Sequence, residues 1–385
     1  MKPFNKADFR KLAEESGQTC ISVYIPTHRG GQEVLQDKDK LKFKTQIQAI
    51  ENQLKEKGKS ADAIKKLLAP AYKLIDDDEF WRHQSDGLAV FIAEDFFQYY
   101  TLNIAFGTFN VINKRFYLVP LLPLLNNNHP FYILNMSGKN IQFFEADTYN
   151  ISEINLEDFG VEKLSEVIKP ESPENQLQQH SGYGNSQSAL THGHGEGKDV
   201  KHRLLKNYLT KLDNVLVDIM NSNKAPLVLA GVDDLRGHFR EVSKYPMIYP
   251  EPISGNHDRT STAELHKLAL QLLKDHFEKE QVEQKNKFQN LAGTGKAETE
   301  IHSIVKNSVS GLIDQLFVTN SQPVWGHYDS QNHEVEIGDS PANSHEDLLN
   351  FAAVQTVLKG GTVYLLEKNE MPAENTSAAA IYRNG

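Results

Sequence analysis

Imidazoles, glycines and cations crowd into one stretch of this chain. It runs His180-Ser-Gly-Tyr-Gly-Asn-Ser-Gln-Ser-Ala-Leu-Thr-His192-Gly193-His194-Gly195-Glu196-Gly197-Lys198-Asp-Val-Lys201-His202-Arg203. Glycines let a backbone approach a ligand closely. A helix read to start near Asp199 would add unpaired N–H groups and a positive dipole end. Such a loop suits an anion, and a phosphate backbone above all. Gly193, Gly195 and Gly197 would give the backbone access, and Lys198, Lys201 and Arg203 would hold phosphate. The residues with acid–base chemistry are His192, His194 and Glu196. Glu196, between two glycines, has the exposure a general base needs, and His194 is placed to orient it. His180, His192, His194 and His202, with Asp199 or Glu196, are also types that zinc accepts. No cysteine lies near and the spacing is not diagnostic, so no metal or other cofactor is assigned.

A second cluster, Lys38, Lys40, Lys42 and Lys44, is partly cancelled by Asp37 and Asp39. It reads as a solvated helix face. Just before it stands Gly30-Gly31-Gln32, preceded by His28-Arg29, at the exit of a strand. It reads as an ordinary loop, since a tripeptide match means little without its structural context.

At 385 residues the chain exceeds one ordinary core, and two or three domains are expected. Hydrophobic residues make up 39% and charged residues 24%, the proportions of a globular protein. A single cysteine, Cys20, excludes a disulfide framework. With no apolar leader and no apolar run of spanning length, a cytoplasmic protein without a membrane partner is expected. The formal charge of −10 argues against avid non-specific binding to DNA or RNA, so any such affinity must come from local patches.

Periodicity supplies the elements. Strands are expected over Cys20–Ile25, Gly87–Ile92, Phe96–Tyr100 and Arg115–Leu118, with helices over Leu41–Lys57 and Ala61–Ile75. A polar, proline-stopped linker at Asn126–Pro130 closes this first unit. Phe131–Asn135 and Ile141–Glu145 read as a hairpin around a Ser-Gly turn. Residues 165–198 read as a long loop, followed by an amphipathic helix to Asn221, a buried strand Pro226–Ala230 and a helix Ser261–Asn290. The last unit reads as a helix over Ala297–Ser310, a strand Gln315–Val318, a helix to Leu358 opened by a capping box at Ser344–Asp347, and strands Thr362–Leu366 and Ala379–Tyr382. The domains are thus 1–128, 129–292 and 293–385, all α/β, the last a small α/β sandwich.

The order of these units resembles the archaeal and eukaryotic peptide-chain release factor and Pelota superfamily. More narrowly, it resembles the bacterial archaeo-eukaryotic release-factor-like proteins. The resemblance rests on Ile21-Ser-Val-Tyr-Ile-Pro-Thr-His28, Phe80-Trp81 before Gly87-Leu-Ala-Val-Phe91, Phe116-Tyr-Leu-Val-Pro-Leu121, His192-Gly-His-Gly195 and Leu227-Val-Leu-Ala-Gly231. In the last unit it rests on Gly311, Trp325-Gly326, Thr356, Gly360-Gly-Thr-Val-Tyr364 and the terminus Ala378 to Arg383. It implies a ribonuclease-H-like middle domain whose loop enters the peptidyl-transferase centre. It also implies a C-terminal docking domain like the proteins that bind RNA kink-turns. The implied partners are the ribosome and tRNA, with a translational GTPase as a further one.

The sequence departs from the family pattern in two places. Aligning His192-Gly193 with the family's His-Gly puts Gly195-Glu196-Gly197 where Gly-Gly-Gln should stand, so the glutamine is missing; a looser alignment offers Gln187 after Gly184-Asn185-Ser186, too far from the helix start. The first domain lacks an Asn-Ile-Lys-Ser motif, so stop-codon reading is not supported. Three functions stay open. One is a ribosome-associated factor in termination, rescue or quality control, with peptidyl-tRNA ester hydrolysis undecided. The second is a hydrolase of a small substrate, with or without a metal, using the His/Glu loop. The third is a non-catalytic RNA-binding module.

Overall fold

β-branched and aromatic residues dominate Thr19–Ile25, every residue of which is buried, so this stretch is the heart of a central strand, β1 (Ser16–Pro26). The computed structural model describes residues 4–126, 129–137, 140–167, 195–221, 223–319, 323–338 and 346–383. They divide into two units, residues 1–128 with 278–385, and residues 129–277. The N- and C-terminal segments, read apart in the sequence, share the first unit.

In that unit helix α1 (Lys6–Glu14) is capped by Asn5, whose side chain accepts from the N–H groups of Ala7 and Asp8. After β1 come the helices α2 (Gln32–Leu35), α3 (Lys38–Glu56), α4 (Ala61–Ile75) and α5 (Asp78–Arg82). Strands β2 (Gly87–Ala93), β3 (Phe96–Leu102) and β4 (Phe109–Arg115) follow, and then the short helix α6 (Pro123–Asn126). The sheet is antiparallel throughout, in the order β3-β2-β1-β4. Ile21, Val23 and Ile25 of β1 and Leu88, Val90 and Ile92 of β2 lie on one face. They meet Phe43, Ile47, Ile50 and Leu54 of α3 and Ile64, Leu68 and Ala71 of α4, both at helical spacing. Each such side chain contributes roughly 1.5–3 kcal/mol by burial.

The second unit opens with β5 (Phe131–Met136), β6 (Ile141–Ala146) and β7 (Ile151–Ile154), then α7 (Leu164–Val167) and the long helix α8 (Gly195–Met220). Strand β8 (Leu227–Gly231), helix α9 (Asp233–Val242), strand β9 (Ile253–Ser254) and helix α10 (Thr262–Leu291) follow, and the division between the units falls after Phe277 of α10. The sheet order is β7-β6-β5-β8-β9. The first three strands pair antiparallel, while β5, β8 and β9 run parallel. The strand period of two separates the faces. Tyr132, Leu134, Met136, Leu227 and Leu229 meet Leu209, Leu212 and Leu216 of α8 and Phe239 of α9. Phe131, Ile133, Val228 and Ala230 meet Leu265, Ala269 and Leu273 of α10.

The C-terminal part of the first unit holds β10 (Ala297–Glu298), α11 (Ile301–Val309), β11 (Ile313–Thr319), β12 (Trp325–Asp329), β13 (Glu334–Ile337) and β14 (Glu346–Asp347). It ends with α12 (Leu348–Leu358), β15 (Thr362–Leu366) and β16 (Ala378–Tyr382). The sheet is β10-β16-β11-β15, with β11 and β15 parallel across the α12 crossover. Phe317, Leu366, Ala379 and Ile381 on one face are covered by Phe288 and Leu291 of α10. A ribbon, β13-β12-β14, has no counterpart in the sequence reading.

Three expectations are corrected here, and three elements are added. The helix expected from Ala297 starts at Ile301, because Ala297 and Glu298 pair with β16 and Glu300 caps the helix through Ser303 N–H. The capping residue before α12 is Asp347, which accepts from Leu349 N–H, and Ser344 lies outside the described residues. Strands β7 and β9 and helix α9 complete the second unit without having been read from the sequence. Finally, the last strand of the first sheet is Phe109–Arg115 and not Arg115–Leu118.

The residues after β4 leave the ladder because side chains satisfy their backbone. Tyr117 N–H donates to Ser22 Oγ (2.9 Å), and Tyr24 OH donates to the Tyr117 carbonyl (2.6 Å). Leu118 N–H donates to Asn350 Oδ1 (2.8 Å), and Asn350 Nδ2 donates to the Phe116 carbonyl (3.1 Å). Beside this clamp Arg115 lies 3.6 Å from Glu346 and stacks over Phe351. Burial pushes the Asp347 carboxyl up to about 6, against the pull of the Leu349 and Val324 N–H groups.

Two outcomes follow from this joint. Asn350→Ala orphans a buried N–H and a buried C=O and should lower stability by about 3 kcal/mol in urea unfolding. Asp347 holds its proton more tightly folded than unfolded, so its contribution to stability falls as pH rises from about 4 through about 6. Asp347→Asn keeps the capping oxygen and should remove that loss. Relative to the parent it should gain up to about 3 kcal/mol between acid and neutral pH in paired denaturation curves.

Candidate functional site

The candidate residues cluster about the start of α8. His192, Gly193 and His194, together with His180, lie outside the described residues. The helix begins at Gly195, earlier than the expected Asp199, so Gly195, Glu196, Gly197 and Lys198 have helical backbone and not loop backbone. Acidic residue types at 196 and 199 favour this extension, since negative charge stabilises a helix N-terminus. Val200, Lys201, His202, Arg203 and Leu204 are all exposed. The buried face of α8 starts only at Tyr208, continuing through Leu209, Leu212, Leu216 and Met220. The front of the helix therefore stands clear of the core and presents Lys201 and Arg203 to solvent. Tyr208 OH donates to the Glu162 carbonyl (3.0 Å), which ties the residues before 168 to the helix after 194.

Helix α9 lies beside α8. His202 and His238 meet edge to face, ring centroids 4.7 Å apart, and His238 is flanked by Asp234 at 3.5 Å and Glu241 at 3.9 Å. Deeper in, Asp213 of α8 is buried and holds the end of α9. It accepts from Ser243 Oγ and from Lys244 N–H (2.9 Å). Arg236 of α9 is buried as well; it pairs with Asp233 and donates to Ser254 Oγ (3.3 Å). Sequence reading missed His238, Asp213 and Arg236. Asp213 carried a signal: it falls between Leu209 and Leu216 on the apolar stripe, where a charge must be paired.

Strand β8 ends in Gly231, at φ +130°. A Cβ there would sit 2.0 Å from the Met136 carbonyl oxygen of neighbouring β5. Only glycine lets the two parallel strands end side by side, and this sets where α9 departs. Among the described residues no group of three or more His, Cys, Asp or Glu side chains could hold a metal ion. Nor is any described helix long and apolar enough to cross a membrane. The site as described is thus an exposed helix front that carries Lys201 and Arg203, on a sheet with helices on both faces.

This helix and its sheet lie within the part of the chain that is similar to a known family. Residues 131–275 match the family described as bacterial archaeo-eukaryotic release factor family 7. The match falls within the second unit, and it is to the family that the sequence motifs resemble. No protein of curated function matches the sequence. Among solved structures, the archaeal translation termination factor aRF1 is similar at 15% identity over 99% of each chain, with a TM-score of 0.25. Pelota of Archaeoglobus fulgidus is similar at 10% identity over 100% of this chain and 94% of its own, with a TM-score of 0.33. Dom34 of S. cerevisiae, described as a translation termination-like factor involved in RNA quality control, is similar at 11% identity over 77% of this chain and 79% of its own, with a TM-score of 0.33.

Gly231→Ala should cost about 3 kcal/mol or more, because the backbone clash and the positive φ act together. Gly237→Ala in α9, where nothing lies within 4 Å of the added Cβ, should be neutral or stabilising by up to about 1 kcal/mol. Denaturant midpoints of the two variants, measured side by side, check the pair.

Proposed function

We propose that this protein is a ribosome-associated factor of release-factor-like type, acting in termination, ribosome rescue or quality control. The observation that carries the reading is the coincidence of the family match with the unit that bears α8. The segment ending at His192–His194 would approach peptidyl-tRNA. Lys198, Lys201 and Arg203 would hold phosphate along the helix front, where Lys201 and Arg203 are exposed. The mixed sheet with helices on both faces supports a ribonuclease-H-like middle unit. The α/β layers of residues 296–383 support a docking module that would meet the ribosome or a translational GTPase.

The missing Gly-Gly-Gln glutamine bears on the chemistry. With Glu196 inside a helical turn, ester hydrolysis would fall to His192 and His194 with backbone groups of Gly193, and the protein would otherwise sense a stalled state and act through partners. Co-sedimentation with ribosomes carrying peptidyl-tRNA, with the ester assayed in the same tube, separates these. Binding that falls steeply with salt is expected, since phosphate contacts release counterions. Lys201→Glu with Arg203→Glu should weaken binding about tenfold or more without altering the fold. Absence of binding at both low and moderate salt would remove the ribosomal reading.

A further inference from the structure

We infer that a groove at one end of the first sheet, between β1, the β2–β3 turn and α4, is a docking site for an extended peptide segment carrying an apolar side chain and a positive charge. It does not depend on the function proposed above. Strand β1 outruns both its neighbours. Its pairing with β2 stops at Ile21 with Ile92, and β2 turns away at Ala93. On the other side the ladder with β4 skips from Cys20–Asn113 to Ser16–Arg115, so three residues of β1 stand against one of β4. Gly17, Gln18 and Thr19 thus pair with no residue of either neighbouring strand. Such a bulge leaves backbone N–H and C=O groups outside the ladder. The groove opens beside them, beyond the end of β2, with a volume of about 640 Å³.

The walls suit a peptide. Thr19 is 8% exposed and lines the groove, and among the described residues no hydrogen bond reaches its hydroxyl. A buried hydroxyl without a partner costs stability, and an incoming backbone group would satisfy it as donor or acceptor. The facing wall is α4. Pro70 lies inside that helix and has no N–H, so the Lys66 carbonyl lacks its helical donor four residues on. Lys66 and Pro70 both line the groove, which makes that carbonyl a second open acceptor. Between these polar groups Ala63, Leu67 and Phe97 form an apolar surface, with Leu67 and Phe97 packed on the core but only partly buried. Gly17 has open space where a Cβ would stand, so a second backbone can come close. An extended chain laid here would pair its backbone with β1 and turn every second side chain toward α4. The rim decides the charge. Lys66 is matched by Asp95 at 3.7 Å, and Lys59 offsets only one of Glu15 and Glu94, so one carboxylate is in excess. A lysine or arginine on the peptide meets that excess, and a nucleic-acid backbone would be repelled by it.

Fluorescence anisotropy on the full chain tests this, with a labelled hexapeptide Lys-Val-Thr-Leu-Thr-Val as the probe. Two control peptides carry N-methyl groups at alternate amides, one for each phase of the strand, so that one of them loses the donors facing β1. We expect the unmodified peptide to bind, one control to lose about tenfold or more, and the other to change little. Thr19→Val, which keeps the shape of the side chain, should weaken binding about threefold to tenfold. Ala63→Trp, on the exposed surface of α4, should fill the groove and abolish binding. Pro70→Ala returns an N–H to the Lys66 carbonyl, so it should raise the melting temperature while weakening the peptide about threefold. A proline of structural effect alone would move only the melting temperature. Exchanging the peptide's lysine for norleucine should cost about twofold to threefold in the parent protein and nothing in one carrying Glu15→Gln and Glu94→Gln. No binding of the hexapeptide up to about 1 mM, or equal affinity of the parent and Ala63→Trp proteins, would overturn the assignment. Equal affinity of the two methylated controls would overturn the pairing with β1.

Discussion

Three buried side chains, Ser22, Tyr24 and Asn350, satisfy four successive backbone groups between Phe116 and Leu118. Without them the chain after β4 would bury unpaired N–H and C=O groups at a cost of about 1–3 kcal/mol each. Two of the three come from β1 and one from α12, so the first strand and the last long helix are bound to the same stretch of backbone. Helix α12 is buried on nearly every side, from Leu348 to Thr356, and has no solvent face on which to stand alone. Asn350 is the point at which that apolar rod is oriented, because its carboxamide must meet one donor and one acceptor at fixed positions. The terminal segments are joined here, and again where Arg115 meets Glu346 and Phe351.

The sequence was a good guide where periodicity and burial agree. Helix α4 runs from Ala61 to Ile75 as read, and β2 and β15 fall where their apolar runs predicted. It misled where a backbone is satisfied from a distance. Phe116-Tyr-Leu118 looks like a strand by composition, yet it is held by residues 95 and more than 200 positions away in sequence. No local pattern reveals such partners. Strand β4, Phe-Asn-Val-Ile-Asn-Lys-Arg, does not read as a strand because its polar residues break the apolar run, although an edge strand tolerates them. Short pieces such as β9 and β14 are two residues long and exist only through pairing.

The candidate site was legible in part. The cationic front of α8 was read from charge spacing, and Lys201 and Arg203 are exposed there. The position of the helix start was not, since two glycines argued for loop and the charges at 196 and 199 argued for helix. The loop after β1 reads as an ordinary strand exit, and the buried carboxylate that organises it is not visible in the sequence. That carboxylate is Asp39, which looks in sequence like one more charge in a lysine-rich run. Only its burial separates a carboxylate that organises a loop from one that solvates a helix.

Net charge and local charge act at different ranges here. A chain at −10 repels a polyanion at a distance, but at physiological ionic strength that field fades over about 8 Å. Close contact is decided by the few groups a ligand meets. Along α8 those are lysine and arginine, while the acidic residues Asp233 and Asp234 sit on the neighbouring helix and are partly spoken for by Arg236 and His238. The acidic balance therefore does not forbid phosphate contacts; it restricts them to places where structure has gathered cations and tied up the carboxylates. A chain of this balance is spared the indiscriminate sticking of a basic one.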